Sequence, residues 1–145
     1  MKQVARALLR KDDGTYLLVK HHKSDTWTLP WWHIEKWESL HKALKREIRE
    51  EFNLKIHILW DSDDFGIEHI QNLPLPLAIY KIQYQSRKWW LQKKMEYIFH
   101  AEVRDISALQ IQEKEIADHI WLTPWEIQEL PNTFEQIPKL LEKIS

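Results

Sequence analysis

Three glutamates, Glu47, Glu50 and Glu51, lie close together in the sequence and are its residues best suited to chemistry. At about 3.6 residues per helical turn, positions three and four apart are neighbours, so these carboxylates would converge on one helical face. Like charges at this spacing repel one another unless a cation lies between them. Clustered oxygen ligands suit a hard ion such as Mg²⁺ or Mn²⁺. A charged helix surface that binds nothing is the simpler alternative.

The residues around these acids resemble the Nudix box, a pattern written G-x5-E-x7-R-E-U-x-E-E-x-G-U in which U is aliphatic. Seven positions between residues 32 and 54 match it: Glu38, Arg46, Glu47, Ile48, Glu50, Glu51 and Leu54. The preceding Trp27, Leu29 and Pro30 resemble the W-x-L-P lead-in of that family. The resemblance implies an α/β fold, the Nudix α/β/α sandwich with a mixed sheet between helices, as a single domain over residues 1–145.

The resemblance also implies an activity, because Nudix proteins use a divalent metal to hydrolyse a nucleoside diphosphate linked to another group. A polyphosphate repels an incoming hydroxide, so cations must neutralise it and align the attacking water. Glu47, Glu50 and Glu51 are then the expected ligands of Mg²⁺ or Mn²⁺, and one of them or a later acid is the general base. Arg46 is expected to orient these acids, since it lies four residues before Glu50.

Other residues have secondary roles by the same resemblance. Glu35 is a candidate extra ligand, the backbone carbonyl at position 31 or at Trp32 is another, and Glu38 would hold the loop. For the later acid, Glu115 is the first choice, followed by Glu113 and Glu96. Several aromatic residues could stack on a nucleobase, although aromatic residues on strands more often lie in the core. These are Trp27, Tyr80, Tyr84, Tyr97 and Phe99.

The chain departs from the Nudix pattern at its glycines. At a typical usage of about 7%, roughly ten glycines are expected in a chain of this length, yet it contains two glycines and nine tryptophans. Trp31, Trp32 and Trp37 occupy positions where the family usually has glycine. Trp89 and Trp90 lie between two predicted strands, where two glycines would form a tight turn. We therefore hypothesise that UGA codons were read as Trp in a gene whose host decodes UGA as glycine, a recoding known in some bacterial lineages.

The alternative is that every tryptophan is authentic and the chain is a diverged, inactive relative. If position 31, 32 or 37 requires a positive φ, a bulky residue there costs about 1 to 3 kcal/mol. The sequence with tryptophan at these positions is therefore expected to be less active and less stable. Trp27 and Trp121 are expected to be authentic core or strand residues, whereas Trp60 and Trp125 fit either origin.

Composition limits the other function classes. A net charge of −1 gives no electrostatic argument for binding nucleic acid or a membrane, and no cysteine is present to form a disulfide or thiol site. No apolar run approaches membrane-spanning length, and the N-terminus lacks the features of a signal peptide. The expected location is the cytoplasm and the expected partner a nucleotide. The sequence leaves the oligomeric state open, including a homodimer.

Local patterns predict the elements that position the acids. Residues 3–9 and 16–20 form a hairpin around Asp12, Asp13 and Gly14, and residues 21–37 form a loop. The acidic helix begins after Ser39 and ends at Asn53, which tolerates the left-handed conformation. Further strands are predicted over 55–59, 75–85, 93–103 and 119–122. Thr123, Pro124 and Glu126 predict a helix start, and the last helix is expected over 134–143.

The main competing function is a catalytically silent Nudix-fold module that binds a nucleotide to sense or regulate. The complete set Glu47, Glu50 and Glu51 argues against it, because such a module needs no full metal site. The tryptophan-filled loop favours it if those tryptophans are authentic. A non-Nudix helix with accidental acids would require seven coincident matches.

Overall fold

The computed structural model of the chain describes residues 1–35, 39–59, 63–85 and 91–144. In these ranges the elements, in chain order, are β1 (Lys2–Lys11), β2 (Tyr16–His21), β3 (Trp31–His33), α1 (Leu40–Phe52), β4 (His57–Ile58), β5 (Ala78–Gln85), β6 (Leu91–Val103), β7 (Ile116–Leu122), α2 (Pro124–Glu129) and α3 (Gln136–Ile144). No helix within the described ranges is long and apolar enough to cross a membrane.

The described strands form one mixed sheet with the central order β4-β6-β1-β2-β7, to which β3 is added beside β1 and β5 beside β6. β1 and β6 run parallel, in register from the pair Lys2 and Lys94 to the pair Lys11 and Val103. The other strand pairs are antiparallel. The predicted hairpin between β1 and β2 is confirmed, and Gly14 in its turn has a φ of +84°.

Alternation along the strands builds two cores on opposite faces of the sheet, because successive side chains of a strand point to opposite sides. In β1, Ala7 and Leu9 belong to the core that packs against α1. Leu8, between them, belongs to the core that packs against α2 and α3. The sheet therefore lies between helices, and the predicted α/β/α sandwich with a mixed sheet is confirmed.

The boundaries of α1 follow from its end residues. The Ser39 side chain accepts a hydrogen bond from the Lys42 backbone N–H, and Asn53 ends the helix in the left-handed conformation with a φ of +54°. Ala43, Leu44, Ile48 and Phe52 form its buried stripe. Both predicted ends of α1 are confirmed, as is the predicted capping box of Thr123 and Glu126 at the start of α2.

The structure differs from the sequence predictions at several boundaries. β3 lies inside the segment predicted as a loop over 21–37, and it forms because Ala5 and Trp32 pair across β1 and β3. β4 covers only two residues of the predicted strand 55–59, and β5 begins three residues later than predicted. β6 and β7 begin earlier, since pairing with β5 and β2 extends them.

Candidate active site

A cleft with a volume of about 590 Å³ lies between α1, β3, the end of β2 and the segment before β7. We call it the acidic cleft, because four of the candidate carboxylates line it. Its lining residues are His21, His22, Trp31, Trp32, His33, Glu35, Glu47, Glu51, Lys114 and Glu115.

The buried stripe of α1 directs two of these acids. Ile48 and Phe52 are fully buried against the sheet, which fixes the rotation of the helix about its axis. Glu47 and Glu51 immediately precede these two residues, at a spacing of four, so both lie beside the stripe and line the cleft. The expectation that acids of this helix share a face is met for this pair.

Backbone hydrogen bonds bring Glu115 to the same cleft from far along the chain. The N–H of Gln110 donates to the Phe52 carbonyl and that of Gln112 to the Glu51 carbonyl, both at 3.0 Å. These bonds fix residues 110–112 against the C-terminal end of α1, whose last carbonyls lack partners within the helix. The N–H of His22 donates to the Glu115 carbonyl at 3.4 Å, which ties the segment to β2 as well.

The electrostatic centre of the cleft is Glu51. Burial first, and then the negative charges of Glu115 and Glu47, raise the pKa of Glu51 to about 7. The indole Nε1–H of Trp32 donates to Glu51 Oε2 at 2.8 Å and lowers the pKa, but less than burial raises it. The cleft therefore gathers more negative charge than its own donors stabilise.

Glu50 takes a different position from its two neighbours. Its carboxylate pairs with Arg46 at 3.1 Å on the exposed side of α1, and the same guanidinium pairs with Glu47 at 3.0 Å. Glu50 is not among the lining residues of the acidic cleft. The geometry suits Arg46 to the orienting role expected of it.

The secondary candidate acids lie in different parts of the structure. Glu35 lines the acidic cleft, whereas Glu38 lies outside the described residues. Glu113 lines a separate surface depression near Asp118 and His119. Glu96 is 1% exposed and pairs with Arg6 at 2.9 Å inside the sheet. Glu115, the first choice among the later acids, is thus the one that reaches the cleft.

The donor set fits a hard divalent cation in its chemistry. Four carboxylates line one cleft, and burial together with the charges of Glu115 and Glu47 raises the pKa of Glu51, as expected where a cation would relieve the repulsion. Within the described part of the chain, however, no three acidic or histidine side chains are already arranged to hold a metal ion. Trp32 donates a hydrogen bond to one oxygen of the central carboxylate.

The structure corrects the reason expected for a harmful effect of the loop tryptophans. Trp31 and Trp32 lie in β3, and neither is among the described residues with positive φ, which apart from glycine are Lys23 and Asn53. No left-handed strain arises at these two positions, and their effect on the cleft comes from their side chains. Trp37, Trp89 and Trp90 lie outside the described residues.

A second cavity of about 720 Å³ adjoins the acidic cleft and shares His21 and Trp31 with it. We call it the aromatic pocket. Its walls include Trp31, Tyr84 and Phe134, and Lys94 lies over the rings of Trp31 and Tyr84 at 5.1 and 5.4 Å.

Sequence reasoning named Tyr84 as a stacking candidate but missed Phe134 and Arg6. Arg6 lies 90 positions from Glu96, its ion-pair partner in the pocket wall, and no local pattern signals such a contact. Of the remaining stacking candidates, Phe99 is fully buried in the core. Trp27, Tyr80 and Tyr97 are not among the residues that line the pocket.

Comparison with known proteins identifies the family of the chain. The profile of the NUDIX domain matches residues 1–144 of the chain. No curated protein matches it in sequence.

Solved structures share the fold at low sequence identity. A NUDIX-family hydrolase from Clostridium perfringens superposes with a TM-score of 0.75 at 19% identity, covering 99% of this chain and 97% of that one. The Ap4A hydrolase of C. elegans gives 0.68 at 16% identity, with coverages of 99% and 96%. A UDP-X diphosphatase gives 0.65 at 23% identity, covering 99% of this chain and 60% of its own. With the profile match over nearly the whole chain, these findings show that the protein belongs to the Nudix hydrolase family.

Proposed function

We propose that this chain, as one Nudix domain, hydrolyses a phosphoanhydride bond in a nucleoside diphosphate linked to another group, with Mg²⁺ or Mn²⁺ as cofactor. The observation that carries the proposal is the meeting of Glu47, Glu51 and Glu115 in one cleft. Fold relatives named as a UDP-X diphosphatase and an Ap4A hydrolase support a nucleotide substrate. Cytoplasmic residence is part of the proposal.

The proposed roles follow from position. Glu47, Glu51 and Glu115 would hold the cation, with Glu35 at the rim and the backbone carbonyl of Trp32 as a further donor. A bound divalent ion would neutralise the diphosphate and lower the pKa of the attacking water. Glu50 keeps a proposed supporting role as a ligand after movement of its side chain, and Arg46 would orient the acids.

Proton transfer in the proposed reaction needs a group that titrates near the working pH. An efficient general base has a pKa close to that pH, and in the cleft without a cation burial, followed by the neighbouring charges, raises the pKa of Glu51 to about 7. A bound cation would lower this pKa, so Glu51 fits the role of base only where it does not itself bind the cation. Glu115 lies beside it and is the second candidate for this role. Either carboxylate would accept the proton that the attacking water loses.

The aromatic pocket supplies a place for the nucleoside. Tyr84 and Phe134 offer ring faces for a base, and Lys94 offers a positive charge beside them. A ligand with its base in this pocket and its diphosphate in the acidic cleft would pass His21, which lines both cavities.

The proposal is tested by ³¹P NMR of nucleotide mixtures incubated with the protein and Mg²⁺. Modified nucleoside triphosphates, ADP-ribose and dinucleoside polyphosphates form the panel. Both this chain and a variant with glycine at 31, 32, 37, 89 and 90 are assayed, with EDTA as the metal-free control. New phosphate resonances that require Mg²⁺ would identify the cleaved bond, whereas unchanged spectra from a folded variant would contradict the proposal for these substrates.

A second candidate function is a silent Nudix-fold module that binds a nucleotide without cleaving it. The hydrogen bond from Trp32 to Glu51 favours it, because this bond engages the central carboxylate without any cation. Tight nucleotide binding in calorimetry without turnover, in this chain and in the glycine variant alike, would support this alternative.

A further inference from the structure

The ring of Trp32 fills the space beside the central carboxylate of the acidic cleft. Trp32 is 4% exposed and belongs to the core formed with Leu44, Ile48 and Phe52. Its Nε1–H donates to Glu51 Oε2 at 2.8 Å. An indole N–H is a neutral donor, so it occupies a lone pair that a cation could use but brings no positive charge.

Trp31 lies where the acidic cleft and the aromatic pocket meet, since its side chain lines both. Its ring lies 5.7 Å from the ring of His21 and 5.2 Å from that of His33. The Arg6 guanidinium lies 5.8 Å from the same ring and the Lys94 ammonium 5.1 Å from it. These contacts on several sides hold the indole in place between the two cavities.

His21, which lines both cavities, has a polar atom that is buried where they meet. His21 Nε2 is buried and has no hydrogen-bond partner among the described residues. A buried nitrogen without a hydrogen-bond partner is unfavourable. Removing the Trp31 ring, one of its near neighbours, would open space in which a ligand or water could pair with this nitrogen.

We infer that Trp31 and Trp32 close the site from within: Trp32 takes the place of a cation on Glu51, and Trp31 separates the metal-binding cleft from the nucleoside pocket. This inference rests on the proposed metal site, and it identifies Trp31 and Trp32 as the residues that obstruct that site. Glycine at both positions removes the block and joins the two cavities. The closed form binds divalent ions weakly until the indole of Trp32 leaves Glu51.

The test measures Mn²⁺ binding alone, by the electron paramagnetic resonance signal of the free ion, without nucleotide. Trp32→Phe keeps an aromatic ring in the core but removes the N–H, whereas Trp31→Gly combined with Trp32→Gly removes both rings. The matched control is Trp125→Phe, because Trp125 is 70% exposed on α2. Since glycine in the core can prevent folding, circular dichroism checks each variant and Trp32→Phe decides the result.

A hydrogen bond to a charged group contributes about 1.5 to 3 kcal/mol, so Trp32→Phe should bind Mn²⁺ about ten- to a hundredfold more tightly than the unchanged chain. Trp125→Phe should bind like the unchanged chain, and adding Glu51→Gln to Trp32→Phe should abolish the gain. Equal Mn²⁺ affinity in the unchanged chain, Trp32→Phe and Trp125→Phe, with weaker binding once Glu51→Gln is added, would overturn the inference and leave the proposed metal site intact. Absence of Mn²⁺ binding in every folded variant would overturn both.

Discussion

The backbone N–H of Gln112 donates to the carbonyl of Glu51 at 3.0 Å, so the segment that carries Glu115 is attached to the helix that carries the central acid. This one bond joins the two halves of the candidate site, which are more than sixty residues apart in the sequence. It also means that the C-terminal end of α1 serves both to end the helix and to position the later carboxylate.

This attachment distinguishes Glu115 from its neighbour Glu113. In a chain with glycine at 31 and 32, Glu115→Gln should lower the Mg²⁺-dependent hydrolysis rate by about a hundredfold or more, because it removes a ligand or base of the cleft. Glu113→Gln serves as the matched control and should leave the rate nearly unchanged, since Glu113 lines a different depression. Equal losses in steady-state kinetics for both variants would contradict the assignment.

His100 should make the fold sensitive to acid. Burial, followed by the charge of Arg10, lowers the pKa of His100 to about 4, and its Nε2 lies 3.2 Å from the Tyr16 hydroxyl. Between pH 6.5 and 4 the unfolded chain therefore binds a proton that the folded chain excludes, so this group's contribution to stability falls as the pH falls.

Urea unfolding of the unchanged chain and of His100→Gln, at pH 7 and pH 5, measures this contribution. Glutamine keeps a polar group near Tyr16 but does not titrate. The unchanged chain should lose about 2 kcal/mol more than the variant over this interval. Glu51 has the opposite effect, because its raised pKa makes the folded state less stable as the pH rises toward 7. Both proteins contain Glu51, so its contribution cancels when their losses of unfolding free energy are compared. Parallel losses in the two proteins would be inconsistent with a buried, neutral His100.

Removing one partner of the buried pair of Arg6 and Glu96 should destabilise the fold strongly. Their side chains are 7% and 1% exposed, and Tyr80 also donates to Glu96 at 2.7 Å. Glu96→Ala leaves an unpaired buried guanidinium, so it should cost about 3 to 5 kcal/mol of unfolding free energy. Tyr80→Phe, which removes only the hydroxyl, should cost about 1 to 3 kcal/mol. Denaturant titration measures the free energy of unfolding of each variant. A loss below about 1 kcal/mol for Glu96→Ala would show that the buried Arg6 guanidinium does not depend on Glu96.

The recoding hypothesis makes a prediction about the native gene product. The tryptic peptide of residues 24–36 contains Trp27, Trp31 and Trp32. In protein purified from its own host, mass spectrometry of this peptide should show glycine at positions 31 and 32 and tryptophan at 27. Tryptophan at all three, together with UGG codons in the gene, would rule out recoding and leave the closed site as the native one.

Local signals made α1 predictable from sequence. Ser39 caps the start of the helix and Asn53 ends it, and each acts through contacts with residues a few positions away. Their roles could therefore be recognised without the rest of the fold. The apolar stripe likewise fixed which side of α1 faces the core. The placement of Glu47 and Glu51 follows from that stripe.

Contacts between distant segments limited the remaining predictions. β3 was missed because three residues carry no periodic signal, and it forms only through its pairing with β1. The aromatic pocket depends on Arg6 and Phe134, which come from opposite ends of the sequence and lie 5.5 Å apart from guanidinium carbon to ring centre. Glu50 fits the sequence pattern as well as Glu51 does, and only the rotation of α1 and the ion pair with Arg46 separate the two.

The most direct test of the account is the rate of Mg²⁺-dependent phosphoanhydride hydrolysis by the chain with glycine at 31, 32, 37, 89 and 90, measured beside the same chain carrying Glu51→Gln. The substitution keeps the size of the side chain but removes its charge, so folding should persist while the rate falls by about a hundredfold to ten-thousandfold. The account predicts metal-dependent turnover that is lost with Glu51. Turnover that survives Glu51→Gln unchanged would contradict the placement of the chemistry in the acidic cleft.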